Sequence, residues 1–154
     1  MNKFTRTSKI LSLFDTNILI FAHNPDSPLQ GKAKDLLFAA INGDIDAVLA
    51  PQNLLEFYSV ITSPNRVEKP LSLQDVHFLV REYLASNVFG FIYPQEGTVG
   101  RAFDLAARYD VRKAEIFDTF LVATMLDNEV RIIYTDNEKH FKMFKEIKTV
   151  NPFK

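Results

Sequence analysis

Four acidic residues occupy places where the surrounding residues are apolar. Asp15 interrupts KILSLFDTNILIFA (9–22), and Asp118 interrupts IFDTFLVATMLDN (116–128). Glu56 lies in NLLEFYSV with Gln52 one turn before it, and Asp136 directly follows VRIIYT (130–135). An ionised carboxylate is costly to desolvate without a partner. Either each acid lies at an exposed edge of the core, or something positively charged meets it there. Four carboxylates converging on one cleft repel one another, and some stay protonated unless a cation neutralises them. Ligands that are oxygen only favour Mg²⁺ or Mn²⁺. Such an ion can activate water, orient a phosphodiester and stabilise the leaving oxygen, and a second ion would clamp both oxygens of an in-line displacement.

The remaining composition removes other chemistries. The chain of 154 residues contains no cysteine, which excludes disulfides, zinc thiolate sites and a cysteine nucleophile. Three scattered histidines make a zinc site built on histidine a poor expectation. The formal net charge of −1 gives no overall basic field for nucleic acid, although a local patch is compatible with it. With 47% hydrophobic and 24% charged residues the chain has the balance of a folded domain. No apolar run reaches the roughly 18 residues needed to cross a bilayer. The start, MNKFTRTSKILSLFD, is basic, but its apolar stretch is too short for a signal peptide and ends in Asp15. The expectation is a cytoplasmic protein that does not engage a membrane.

Strands and helices alternate along the chain. Strands are expected at 9–14, 46–50, 88–93, 130–135 and 146–150, read from short apolar runs bounded by turn residues. Helices are expected at 29–42, where Ala33, Leu36, Leu37 and Ala40 form one stripe and Asn42-Gly43 suits a C-cap. Another is expected at 51–62, with Pro51 at its start and Leu54, Phe57, Tyr58 and Ile61 on its apolar side. A helix opened by Ser72 and Asp75 would bury Leu73, Val76, Val80, Tyr83 and Leu84. Further helices are expected at 96–109, 116–128 and 137–144, with loops at 24–28 and 63–70 and a turn at 109–113. Strands separated by helices imply a parallel sheet with helices on both faces, and right-handed crossovers make it doubly wound. No repeat, linker or low-complexity tract divides the chain, so residues 1–154 form a single domain. In such sheets ligands bind beyond the carboxyl ends of the strands, where strand order reverses. A 3-2-1-4-5 order, taken as an assumption, brings Asp15 and Asp136 to one edge.

The stretches LFDTNILIF, QNLLEFYSVI, IFDTFLVATML and IIYTDNEKHF resemble, in order, the four motifs of PIN domains, and the resemblance covers nearly the whole chain. It implies a three-layer α/β/α, Rossmann-like sandwich with a five-stranded parallel sheet. The implied activity is that of a Mg²⁺- or Mn²⁺-dependent ribonuclease of the VapC-type toxin kind, commonly a homodimer and held in check by a small antitoxin. Carried over by motif, Asp15 and Asp118 would be the main metal ligands and Glu56 would complete the acidic cluster. The last motif departs from the pattern. Family members often place an acid two residues after the Thr or just before the Phe, and Asn137 and His140 stand there instead. Asp136 is the acid immediately available, so the fourth ligand and the choice between one metal and two stay open. Asn17 could position Asp15 or a water, and Thr135 could do the same for the fourth acid.

Each residue also has a plainer reading. Asp15 could be a loop residue after a strand, Glu56 part of a solvated helix face, and Asp118 a helix cap. TDNE (135–138) matches a capping box with Thr135 as cap and Glu138 reaching back, which would make Asp136 structural. His23, His77 and His140 suit the surface or the core edge. Arg108, Arg112 and Lys113 could hold RNA phosphates or simply be solvated. Two other functional classes stay open. An aspartyl-phosphate enzyme or receiver domain would want an acid two residues after Asp15, where Asn17 stands, or an acid pair that SLFD lacks. A PIN-like module with an incomplete cluster could bind RNA or protein with weak catalysis or none.

Overall fold

Strand alternation divides the core between two faces of one sheet. In the computed structural model, which describes residues 9–154, five parallel strands are ordered β3-β2-β1-β4-β5. They are β1 (Leu11–Phe14), β2 (Asp46–Leu49), β3 (Gly90–Phe91), β4 (Ile132–Tyr134) and β5 (Lys148–Val150). In register, Leu13 stands beside Val48 on β2 and Ile133 on β4. These three side chains point to one face, and Phe14, Ala47 and Leu49 point to the other, as a two-residue period requires. On the first face pack α5 (Thr98–Arg108), α6 (Glu115–Asp127) and α7 (Glu138–Phe141), with Ala102, Leu105, Leu121, Met125 and Phe141 buried. On the second pack α1 (Thr16–His23), α2 (Gln30–Ile41), α3 (Pro51–Ile61) and α4 (Leu73–Ala85).

The three-layer architecture and the assumed strand order are both present. The single-domain reading of 1–154 began eight residues earlier than the described structure, and residues 1–8 lie outside it. No helix among the described residues is long and apolar enough to cross a membrane.

Several local expectations have visible causes. Asn42 caps α2 and Gly43 follows at φ +80°, with its N–H donated to the Ala40 carbonyl. That left-handed position is one a side chain would strain. Pro51 opens α3, where a missing N–H costs nothing. The Ser72 hydroxyl accepts from the Asp75 N–H at 3.1 Å, as its cap role requires.

Other elements differ from expectation. Helix α1 has no counterpart in the sequence reading, because ILIFA is apolar on every side. It is buried by α2 and α3 as well as by the sheet, so it shows no polar face to betray its period. The apolar stripe of α4 is rotated: Val76 is fully buried and Leu79, Val80 and Tyr83 pack on the core, whereas Leu73 and Leu84 are exposed. Tyr58 on α3 is likewise exposed. β3 keeps two of six expected residues, since it is an edge strand paired on one side.

Asn53 ties this frame to what lies at its edge. Its side chain is fully buried, accepts the Ala50 N–H at 2.8 Å to cap α3, and donates to the Thr16 hydroxyl at 3.3 Å. Asn53→Ala removes a cap and leaves a buried N–H without its acceptor. It is expected to lower unfolding free energy by about 2 kcal/mol in urea titration at unchanged m-value.

Candidate active site

The chain reverses direction across the sheet between β1 and β4, and Asp15 is the first residue beyond β1 there. Its backbone N–H still donates to the Tyr134 carbonyl at 3.0 Å, so the carboxylate is held at the rim of the ladder. Asp15 is also the N-cap of α1: Oδ1 accepts the Thr16 N–H at 2.8 Å. Oδ2 accepts the Thr135 hydroxyl at 2.7 Å and the Asn17 amide at 3.3 Å. Burial pushes the Asp15 carboxyl up to about 6. The donated hydrogen bonds from Thr135 and Thr16 pull it down, and the charges of Asp118 and Glu56 push it up further.

The two residues after Asp15 distribute the restraint. Thr16 donates its hydroxyl to Glu56 Oε2 at 2.9 Å, linking the end of β1 to α3. Gln52, one turn earlier on α3, donates to Glu56 Oε1 at 2.9 Å and to the Phe117 carbonyl on α6 at 3.0 Å. Asn17 donates to Thr135 Oγ1 at 3.1 Å and accepts the Asp136 N–H at 3.3 Å, which links α1 to the loop after β4.

Asp118 enters from the first turn of α6. Burial raises its carboxyl above the usual range, a hydrogen bond from His140 opposes that, and the charges of Glu56 and Glu115 add to the rise. His140 Nδ1 lies 2.7 Å from Asp118 Oδ2 and 3.0 Å from the Asn137 amide nitrogen. Asp118's neighbour Phe117 is exposed rather than buried.

These groups line one open cavity of about 390 Å³ that contains Asp15, Glu56 and Asp118 together with Thr16, Asn17, Asn137 and His140. Ile20, Ser59, Val60 and Arg66 complete its wall. Three of the four acids singled out in the sequence therefore share a cavity. The Asp136 side chain does not line it. Thr135 is fully buried, whereas Asp136, at the bend after β4, is exposed and only its N–H touches the network.

The capping-box reading of TDNE fails for a related reason. The Thr135 hydroxyl is taken up by Asp15, Asn17 and the Asn137 N–H, α7 begins only after Asn137, and Glu138 pairs with Lys142 and Lys154 instead. The basic cluster is also elsewhere: Arg108 pairs with Glu146, Arg112 pairs with Asp110, and neither these nor Lys113 lines the cavity. His23, at the core edge as expected, contacts the Tyr83 hydroxyl. The linking role of Thr16 and the presence of Arg66 in the cavity were not foreseen. The former is signalled by a hydroxyl directly after the strand-ending acid, and the latter has no signal in the sequence.

Among the described residues, no group of three His, Asp or Glu side chains is set to hold a metal by itself. Mg²⁺ normally keeps several waters and takes one or two carboxylates, so the Asp15 and Asp118 oxygens fit that donor requirement. The donors that hold Asp15 and Glu56 are hydroxyls, amides and a backbone N–H group, and Asp118 is held by the His140 ring.

Known proteins resemble this chain in sequence and fold. The PIN domain model matches residues 12–147. VapC ribonuclease Mb2897 of Mycobacterium bovis and ribonuclease VapC43 of Mycobacterium tuberculosis are each 27% identical over 138 residues, covering 90% of this chain and 92% of theirs. Among solved structures, Mycobacterium tuberculosis VapC20, described as a sarcin-ricin loop cleaving toxin, superposes with a TM-score of 0.63 at 17% identity, covering 89% of this chain and 98% of that one. A toxin-antitoxin complex from Klebsiella pneumoniae gives 0.59 at 22% identity, covering 92% and 98%. The two solved structures share the fold, and the match of the family model over residues 12–147 places this chain in the PIN domain family.

Proposed function

We propose that the protein is a metal-dependent endoribonuclease that hydrolyses RNA phosphodiester bonds, acting in the cytoplasm as the toxin of a toxin-antitoxin pair. The observation that carries this reading is a cavity with three carboxylates from three separate elements, held by hydroxyl and amide donors and, at Asp118, by His140. Such a cluster retains its charge for a cation. The relatives named VapC ribonuclease, similar over nine-tenths of the chain, support the substrate class.

Asp15 and Asp118 would hold Mg²⁺ or Mn²⁺, with Glu56 completing the charge of the site. When bound, the ion would activate water, orient the phosphodiester and stabilise the leaving oxygen. The chain's own groups fix the acids: Thr135 and the Thr16 N–H orient both oxygens of Asp15, Thr16 and Gln52 orient Glu56, and His140 orients Asp118. In the fourth motif, His140 and Asn137 face the cavity in place of an acid, and Asp136 remains outside it.

A small protein that silences the enzyme fits the apolar groove of Leu54, Leu55, Tyr58, Leu73, His77 and Val80, which suits an amphipathic helix or extended segment. A homodimer accords with the family resemblance. The lack of a fourth acid in the cavity favours, as a second reading, a PIN module that binds RNA with weak catalysis.

Incubating total RNA with the protein and Mn²⁺ or Mg²⁺ is expected to give discrete cleavage products. EDTA should abolish them, and Asp118→Asn should slow their formation by at least about a hundredfold. Cleavage unaffected by both would refute the assignment. Metal-dependent RNA binding without cleavage would select the second reading.

The Asp15 carboxyl also gives a pH signature. Its folded value of about 6 lies above the ordinary 3.8, so the folded state binds the extra proton between these values. Stability therefore falls as pH rises through that window. In EDTA, Asp15→Asn is expected to flatten that slope and to melt higher than the parent above pH 6, by up to about 3 kcal/mol. Added Mn²⁺ should raise the melting temperature of the parent and leave that of Asp15→Asn unchanged.

Thr135→Val removes the 2.7 Å bond to Asp15 while nearly conserving shape. Mn²⁺ binding followed by electron paramagnetic resonance is expected to weaken about 10- to 100-fold. An unchanged affinity would show that Thr135 has only a packing role.

A further inference from the structure

We propose that Arg66 is an RNA-binding residue of this site, its guanidinium gripping a backbone phosphate of the strand being cut; this rests on the nuclease reading above.

Arg66 lies in the segment between α3 and α4 and lines the same cavity as Asp15, Glu56 and Asp118. Among the described residues, Arg101 pairs with Asp127 at 2.6 Å, and Arg108 and Arg112 each pair with an acid. Arg66 forms no ion pair there, although three carboxylates share its cavity. The backbone that carries it is fixed. The Arg66 and Val67 N–H groups both donate to the Ser63 carbonyl, at 3.0 and 3.1 Å. Val67 is buried in the core, and the Leu71 N–H closes the segment onto Ile61 at 2.9 Å. The side chain thus leaves a pinned turn with its charge unspent.

An anion is the complementary ligand. A phosphodiester offers two non-bridging oxygens on a strand that must already lie in the cavity to be cut. A planar guanidinium matches that pair of oxygens in a fork, which a lysine ammonium does not.

The test separates binding from chemistry. In an Asp118→Asn background, the affinity of fluorescein-labelled single-stranded RNA of mixed sequence is measured by anisotropy across a salt series with Mg²⁺ present. Arg66→Gln is expected to weaken binding about tenfold and to reduce the slope of log affinity against log salt by about 0.7, one phosphate contact on a single strand. Arg66→Lys should restore the slope but only part of the affinity. Arg81→Gln removes an exposed arginine that lies outside the cavity, and should change neither quantity. In the otherwise native protein, Arg66→Gln should raise KM more than it lowers kcat. Binding and slope in Arg66→Gln equal to those of the Arg66-containing parent would overturn the proposal while leaving the nuclease reading intact. A parent that shows no salt-dependent RNA binding, together with no cleavage of total RNA by the native protein, would overturn both.

Discussion

The structure depends on one buried carboxylate. Asp15 ends β1, caps α1 and receives the hydroxyl of Thr135 from beyond β4. It therefore joins the two strands that flank the reversal of sheet order to the helix that leaves it. The stack of Phe14 on Tyr134, directly beneath at 5.5 Å between ring centroids, gives that junction an apolar floor. Burial disfavours the charge, and the hydrogen bonds to it are too few and too neutral to offset that disfavour, so its proton is held to about pH 6. A residue kept only for stability would not need that charge. One amide oxygen could still accept the Thr16 N–H, but the second carboxylate oxygen, which accepts from Thr135 and Asn17, has no equivalent in an amide.

The same economy extends to the neighbours. Asp15-Thr16-Asn17 is a contiguous tripeptide, yet its three side chains reach three separated parts of the chain: Thr135, Glu56 and the backbone of Asp136. Because β1 is central and parallel to both neighbours, the residues just past its end are equidistant in topology from α3 and from the loop after β4. A short motif can therefore organise the whole cavity without any cation taking part. Had Lys or Arg filled these roles, the acids would be paired and the cavity neutral.

Much of this was readable in the sequence because the signals were strong and local. The strands alternate with amphipathic helices, which gives the layers. Asp15, Glu56 and Asp118 break apolar patterns, which marks them as misplaced for packing. What was not readable depended on tertiary context. Helix α1 carries no periodic polar face, since it is covered by sheet and helices alike. Leu73 and Leu84 satisfy a helical stripe on paper, but the face of α4 that meets the core is the rotated one of Val76, Leu79, Val80 and Tyr83. The direction of Asp136 turned on whether Thr135 faced inward, and a local capping pattern competed convincingly with a bond to a residue 120 positions away.

The fourth motif shows how a site can retain its geometry while exchanging its chemistry. His140 stands one position before Phe141, whose ring is buried in the core and fixes α7 against α6. Whatever side chain occupies position 140 is thereby presented to Asp118. An acid there would add a fourth negative charge and another oxygen ligand. An imidazole instead lies 2.7 Å from one oxygen of Asp118 and adds no negative charge to the cluster. Were an ion held by Asp15 and Asp118, water and substrate would have to complete its coordination, and the side chains that hold the substrate would then carry more of the specificity than around a saturated metal centre.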